Sequence, residues 1–352
     1  MTTMRRLAIL FFLLSYTLAR AQAVHIGVLG LFHPQEFKLR APEGSALVIR
    51  AGRDSFVLEG SSSFDEASFQ LHQNEIVATI GSRSQPGPEV VITSRMGGAC
   101  EFLLSVPGKI TRRYRGILRI KPAEGTLVAD IQMDLETAVA SVVAAESASD
   151  TPLEAEKAQA IAARSYFVAG ARRHHSFDYC DTTHCQFLRE APAADTIAAR
   201  ATSATRGLVL IYNGRPIAAM YTRSCGGRTY TPEQLGITIR GYPYFSVDCP
   251  YCRQHPVHWQ TRISMADARL LQPPNEGARL QVDRRLGWEA IASNNFSMRD
   301  DGSTAVVEGT GTGHGIGLCQ AGSKAMAEEG KSFDQILRHY YPDTTIRSLS
   351  AR

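Results

Sequence analysis

From Val24 to about Pro107 the apolar residues fall in short runs divided by Gly, Pro, Ser and Asp. Ala46-Leu47-Val48-Ile49, Ser55-Phe56-Val57-Leu58, Glu75-Ile76-Val77-Ala78-Thr79-Ile80 and Glu89-Val90-Val91-Ile92-Thr93 carry the residues that favour strands. No reactive constellation appears there, so residues 24–108 read as a small β-rich region used for spacing or docking. A strand over Arg115–Ile120, a turn over Lys121–Gly125 and a partner strand over Thr126–Ile131 follow. The period then changes. Over Leu135–Ser147, Val139, Val142, Val143 and Glu146 stand at i, i+3, i+4 and i+7, one face of a helix. Thr151-Pro152-Leu153-Glu154 has the form of a capping box with Pro at the first helical position, and predicts a second helix to about Arg172. Strands return at Gly207–Tyr212 and Ile217–Tyr221, and a last helix is expected over about Ala321–Gly330. The expected class is α+β, mixed helices and strands preceded by the β-rich region.

The first residues set the compartment. Arg5-Arg6, an apolar run from Leu7 to Ala19 and Ala21-Gln22-Ala23 have the order of a secretory signal peptide, with cleavage expected after Ala23. The competing reading is an uncleaved anchor. The expected divisions are 1–23, 24–108 and 109–352, and the expected location is secreted or extracytoplasmic, in periplasm or cell wall. The formal charge is +4 and falls to +1 without Arg5, Arg6 and Arg20, so no nucleic-acid partner is expected. With 44% hydrophobic and 20% charged residues over 352 positions, the chain is globular rather than disordered or membrane-spanning.

Glu146 is the most interesting acid. A carboxylate on an apolar stripe near a helix C-terminus is disfavoured as an anion, which raises its pKa toward that of a general acid. The plainer alternative is that the helix ends early and Glu146 meets solvent. Lys157 lies 11 residues on, and the turn at Pro152 offers a way to bring the two together. His175, Cys180, His184 and Cys185 have the residue types and count of a tetrahedral zinc site, with His174 as a substitute for His175. A Cys180–Cys185 disulfide competes with that reading. Cys249-Pro250-Tyr251-Cys252, with Cys225 upstream, suits a structural disulfide better than redox chemistry. Alternating glycines from Gly309 to Gly317 surround His314 but fit no phosphate-binding spacing, so they suggest a closely approached backbone.

In order along the chain stand Tyr114-Arg115-Gly116, Val142-Val143-Ala144-Ala145-Glu146, the run Glu156 to Tyr166 and Cys180-Asp181-Thr182-Thr183-His184-Cys185-Gln186. Cys225-Gly226-Gly227-Arg228-Thr229, Tyr242-Pro243-Tyr244, Gly313 to Gly322 and His339-Tyr340-Tyr341-Pro342 complete the series. This series resembles the stage II sporulation protein D (SpoIID)/LytB domain family from about Tyr114 to Ile346. The resemblance implies a domain built around a glycan cleft and a peptidoglycan lytic transglycosylase that forms 1,6-anhydro ends. It implies Glu146 as acid/base, Lys157 as a nearby important lysine, and Tyr221, Tyr244, His314 and Gln320 as residues near the substrate. It also implies zinc on the His/Cys cluster, and four protein ligands would make that zinc structural. Cys319 stands where many members have a small residue. Two other readings compete: a non-catalytic wall-binding protein or activator of other cell-wall hydrolases, and a zinc-dependent hydrolase.

Overall fold

The computed structural model describes residues 22–60, 66–148, 150–170 and 174–349. Residues 1–21, with the basic and apolar parts of the expected leader, lie outside that set. No helix of the described residues is long and apolar enough to cross a membrane.

The chain opens with β1 (Ala23–Val28), β2 (Glu36–Arg40), β3 (Ala46–Ala51), β4 (Asp54–Glu59), β5 (Glu66–His72) and β6 (Glu75–Ile80). It continues with β7 (Arg83–Gly87), β8 (Val90–Ser94), β9 (Cys100–Val106), β10 (Ile110–Ala123) and β11 (Thr126–Asp134). Alternation sets the inner face: in β11, Leu127, Ala129, Ile131 and Met133 are buried and their neighbours are not. The sheet forks at β10. On one edge, Ile110–Gly116 pairs with β9 and Leu118–Ile120 pairs with β8. One wing runs β9-β2-β5-β6-β7 and the other β8-β3-β4, while β11 and β1 lie on the opposite edge. Phe37, Ile49, Phe69, Phe102 and Ile131 share one core with Val139 and Val142 of the first helix. The boundary expected at residue 108 falls in the β9–β10 hairpin, so one sheet and one core continue across it.

Next come α1 (Leu135–Glu146) and α2 (Leu153–Val168). Asp134 caps α1, its Oδ1 accepting the Glu136 and Thr137 N–H groups at 3.1 Å each. The capping box expected for α2 does not form. Thr151 Oγ1 donates to the Ala148 carbonyl, and Pro152 is the N-cap without a side-chain bond. Glu154 instead accepts from Lys157 Nζ and the Phe333 N–H. The helix stops short of Arg172, and Gly170 turns the chain with φ 70°.

The rest comprises β12 (Tyr179–Cys180), α3 (Ile197–Ala204), β13 (Leu208–Tyr212), β14 (Arg215–Pro216), β15 (Tyr221–Thr222) and α4 (Pro250–Gln254). After these come β16 (His258–Ser264), α5 (Met265–Leu270), α6 (Glu276–Leu286), β17 (Phe296–Asp301), β18 (Thr304–Thr310) and β19 (Leu318–Cys319). The end is α7 (Gln320–Glu328), α8 (Phe333–Tyr340) and β20 (Thr345–Ser348). Strands β16, β18 and β17 form a separate small sheet. Its own core contains Ile263, Leu271, Val282, Ile291 and Val307. No hydrophobic pattern noted in the sequence predicts this subsidiary unit.

Helix α2 is buried nearly all round, and its alanines allow close packing. Arg164 joins it to its neighbours. Its guanidinium is fully buried, holds Glu136 through Nε at 2.9 Å and Nη2 at 2.7 Å, and donates to the Leu208 and Thr202 carbonyls. Removing one partner of a buried, hydrogen-bonded pair strands the other charge, at a cost of about 3–5 kcal/mol. Arg164→Met is expected to lose that much in urea unfolding. A loss below about 1 kcal/mol, the range of exposed pairs, would contradict it.

Candidate active site

Glu146 is the last residue of α1, where the buried stripe of Val139, Val142 and Val143 reaches a half-buried surface. Its Oε1 accepts the Phe187 backbone N–H at 3.0 Å, and Gln320 Nε2 donates to its main-chain carbonyl at 3.4 Å. Desolvation pushes the Glu146 pKa up to about 7, against partial opposition from the Phe187 N–H and the Arg223 guanidinium. The helix C-terminus acts in the same direction as desolvation.

A second acid stands beside it, which the sequence did not single out. Glu156 is buried, with its pKa raised to about 7 by desolvation, and it accepts a hydrogen bond at 2.8 Å from Ser147 Oγ, the residue after Glu146. Both carboxyls therefore hold their protons more tightly in the folded chain than the ordinary glutamate value of 4.5 allows. Their contribution is fully present below pH 4.5, falls as pH rises, and is gone above about pH 7. A shift of this size is worth up to about 3 kcal/mol per group. Wild type is expected to lose stability over that window, and Glu156→Gln to lose distinctly less. Urea midpoints across the pH series check this, and parallel curves would refute it.

Among the described residues no ion pair joins Lys157 to Glu146. Three residues after Glu154 on the same helical face, Lys157 pairs with that carboxylate at 2.6 Å, and its ammonium lies 5.8 Å from the Phe333 ring centre. The cation whose charge acts on Glu146 is Arg223, just past β15. Its only sequence signal was a basic residue two places before the Cys225-Gly226-Gly227 motif. Tyr221 lies close enough to Glu146 for that charge to raise its own pKa, after the larger effect of burial, and its hydroxyl donates to Gln186 Oε1 at 3.0 Å. Tyr244 is buried rather than groove-lining. Its hydroxyl donates to the Ala218 carbonyl and accepts the Met220 N–H, so it clamps the strand entering β15. His314 accepts the Ile316 N–H through Nδ1 at 3.0 Å.

The glycine run follows from one close approach. Strands β15 and β19 pair in parallel, and at Gly317 a Cβ would stand 2.0 Å from the Met220 carbonyl oxygen. With φ 72° as well, that position accepts only glycine.

A His/Cys cluster supports the loop that reaches Glu146. Ligand atoms of His174, Cys180, His184 and Cys185 all lie within 4.8 Å of one another. His174, not His175, takes part. Adjacent side chains diverge, so half-buried His174 turns inward, 3.4 Å from Cys185 Sγ, while His175 is exposed. The Cys180 thiol is held far below the usual range by hydrogen bonding with Cys185 first, then His184 and Thr182. Next to it, buried Asp181 accepts from the Leu29 N–H, Arg112 Nη1 and Tyr114 Oη. The loop is thus fixed to the large sheet at one end and presents Phe187 to Glu146 at the other.

Residues 123–212, which span α1, α2 and the His/Cys loop, match the family model described as Stage II sporulation protein (SpoIID). Stage II sporulation protein D of Bacillus subtilis is 28% identical over 264 residues, covering 62% of this chain and 75% of that protein. Over that segment the chain is similar to SpoIID domains. An uncharacterized protein of Brachyspira hyodysenteriae is 27% identical over 267 residues, 66% of this chain and 72% of the relative. The amidase enhancer of Bacillus subtilis is 43% identical over a shorter 63 residues, 18% of this chain and 9% of that protein. The SpoIID match contains Glu146, Lys157 and all four His/Cys residues, whereas Tyr221, Arg223 and Gln320 reach Glu146 from beyond it.

Proposed function

We propose that this protein acts on the cell wall as a peptidoglycan lytic transglycosylase. The observation that carries the reading is the carboxyl of Glu146, with a pKa of about 7, held in place by a backbone N–H from the His/Cys loop, while the neighbouring Glu156 is buried and bonded to Ser147 Oγ. As an acid, Glu146 protonates the oxygen that links N-acetylmuramic acid to N-acetylglucosamine, and the C1–O bond breaks. As a carboxylate, it then takes the proton of the muramic C6 hydroxyl while that oxygen bonds to C1. The product is a 1,6-anhydro end, and no water is consumed. Ordinary glycosidases need two carboxyls, one often to supply or activate a nucleophile. Here the nucleophile belongs to the substrate, and proximity replaces the second group. Arg223 stabilises the carboxylate between the two proton transfers. Tyr221, His314 and Gln320 border the glycan cleft.

The donor set of His174, Cys180, His184 and Cys185 fits zinc: two thiols and two imidazoles in one closed group. Zinc bound there would supply a structural cross-link, with no open position for a reactive water. The chain's own contribution is to hold Phe187 N–H on Glu146. The expected leader places this chemistry outside the cytoplasm.

Mass spectrometry of digests of peptide-free glycan tests the reading. Anhydromuramic ends support it; reducing ends alone identify a hydrolase and overturn it. The likeness to the amidase enhancer favours a second reading, activation of another wall enzyme. That reading requires no product from the protein alone and faster release by an added amidase.

A further inference from the structure

Four cysteines outside the SpoIID match converge on one point. Cys225 follows β15, Cys249 and Cys252 flank the first turn of α4, and Cys319 ends β19. All four are buried, and their sulfurs all lie within 4.8 Å of one another, Cys252 and Cys319 at 3.5 Å. We propose that Cys225, Cys249, Cys252 and Cys319 form a second metal centre, a tetrathiolate zinc site separate from the His/Cys cluster.

Zinc–sulfur bonds of about 2.3 Å in a tetrahedron place the sulfurs about 3.8 Å apart, which is the scale of this group. Two disulfides would give each sulfur one near partner; here each has three. The group is also too compact to enclose an iron–sulfur cluster. Soft thiolates without a histidine or carboxylate select zinc among the common divalent ions.

The surroundings suit thiolates. Cys319 Sγ accepts two main-chain N–H groups, from Cys225 and Gly322, each at 3.4 Å. Ser224 Oγ lies 3.5 Å from Cys252 Sγ, and Tyr340 Oη lies 3.5 Å from Cys249 Sγ. Such outer donors offset the charge of four thiolates on one dication. Backbone geometry makes room for the group: Gly226 and Gly227 turn the chain away just after Cys225 with φ 73° and 117°. At Gly322 a Cβ would stand 2.6 Å from Cys249 Sγ, so α7 packs directly on the cluster.

The site joins β15, β19, α4 and α7, none of which has many residues of its own to hold it. With four protein ligands it is closed and structural. The inference does not depend on what Glu146 does.

The test uses the full chain exported from cells and purified without chelator, with elemental analysis and X-ray absorption at the zinc edge. The expected result is one zinc bound by sulfur alone, in addition to whatever the His/Cys cluster holds. Two zinc ions per chain give a shell clearly richer in sulfur than in nitrogen; one zinc with sulfur only also supports the site. Cys252→Ser should lose that zinc and keep the His/Cys metal. If this variant does not fold, the wild-type spectrum still decides. Zinc with equal sulfur and nitrogen and no excess, or iron in its place, overturns the proposal. So does recovery of the four cysteines as two disulfides in peptide mapping of the active protein.

Discussion

Glu146→Gln is expected to lower turnover on peptide-free glycan by about 10²–10⁴-fold, the usual worth of general acid–base catalysis. Glutamine keeps the shape and accepts the Phe187 N–H, but it cannot pass a proton. Fold and glycan binding should persist, because the hydrogen bonds at 3.0 Å to Oε1 and 3.4 Å to the main-chain carbonyl need no titrating group. Above pH 7 the variant should be as stable as wild type or slightly more so, since a carboxylate disfavoured by its setting is gone. In wild type, kcat/KM should fall as pH rises through about 7, where the acid form is lost. Equal turnover in wild type and variant removes Glu146 from the mechanism. Fluorescence or circular dichroism separates that outcome from simple unfolding.

If zinc occupies the His/Cys cluster, its loss should be nearly as damaging, by a different route. Cys180→Ser is expected to release one zinc equivalent and to lower the melting temperature markedly. Zinc binding in small metal-folded peptides is worth about 10–16 kcal/mol, and a domain with its own core should lose a part of that. The loop that carries Phe187 would keep its Asp181 anchor but lose its cross-link. The effect should therefore appear mainly in kcat, since Glu146 is displaced and the sugar contacts are not. Metal-free, fully active protein with a Cys180–Cys185 disulfide would refute the assignment.

The sequence was most legible where one period dominated. The strand runs at 46–49, 55–58 and 75–80 lie within strands, the run at 89–93 does so but for Glu89, and α1 covers all but the last residue of the helix expected over Leu135–Ser147. Glu146 was legible because an acid interrupts that stripe at i+7. Local signals failed where a distant partner outbid them. Glu154 had the position of a capping residue, yet Lys157 and the Phe333 N–H take its carboxylate. Residues 258–310 carried no strong alternation, and only their shared core reveals a unit. The Phe187 N–H could not be read at all, because a backbone group leaves no mark in residue type. The four-cysteine group was hidden because its members are separated by as many as 94 residues, as between Cys225 and Cys319.

The setting of Glu146 has a consequence for the order of folding. Its N–H partner lies 41 residues away in sequence and the Gln320 contact 174 residues away. Helix α1 forms locally, but contacts of such separation come late, after the long loops have closed. A partly folded chain thus owns the carboxyl and lacks its environment, so the group titrates as an ordinary solvent-exposed acid. If the chain is exported and acts as proposed, its chemical competence arrives with the last docking events, and a chain still in transit would be inert.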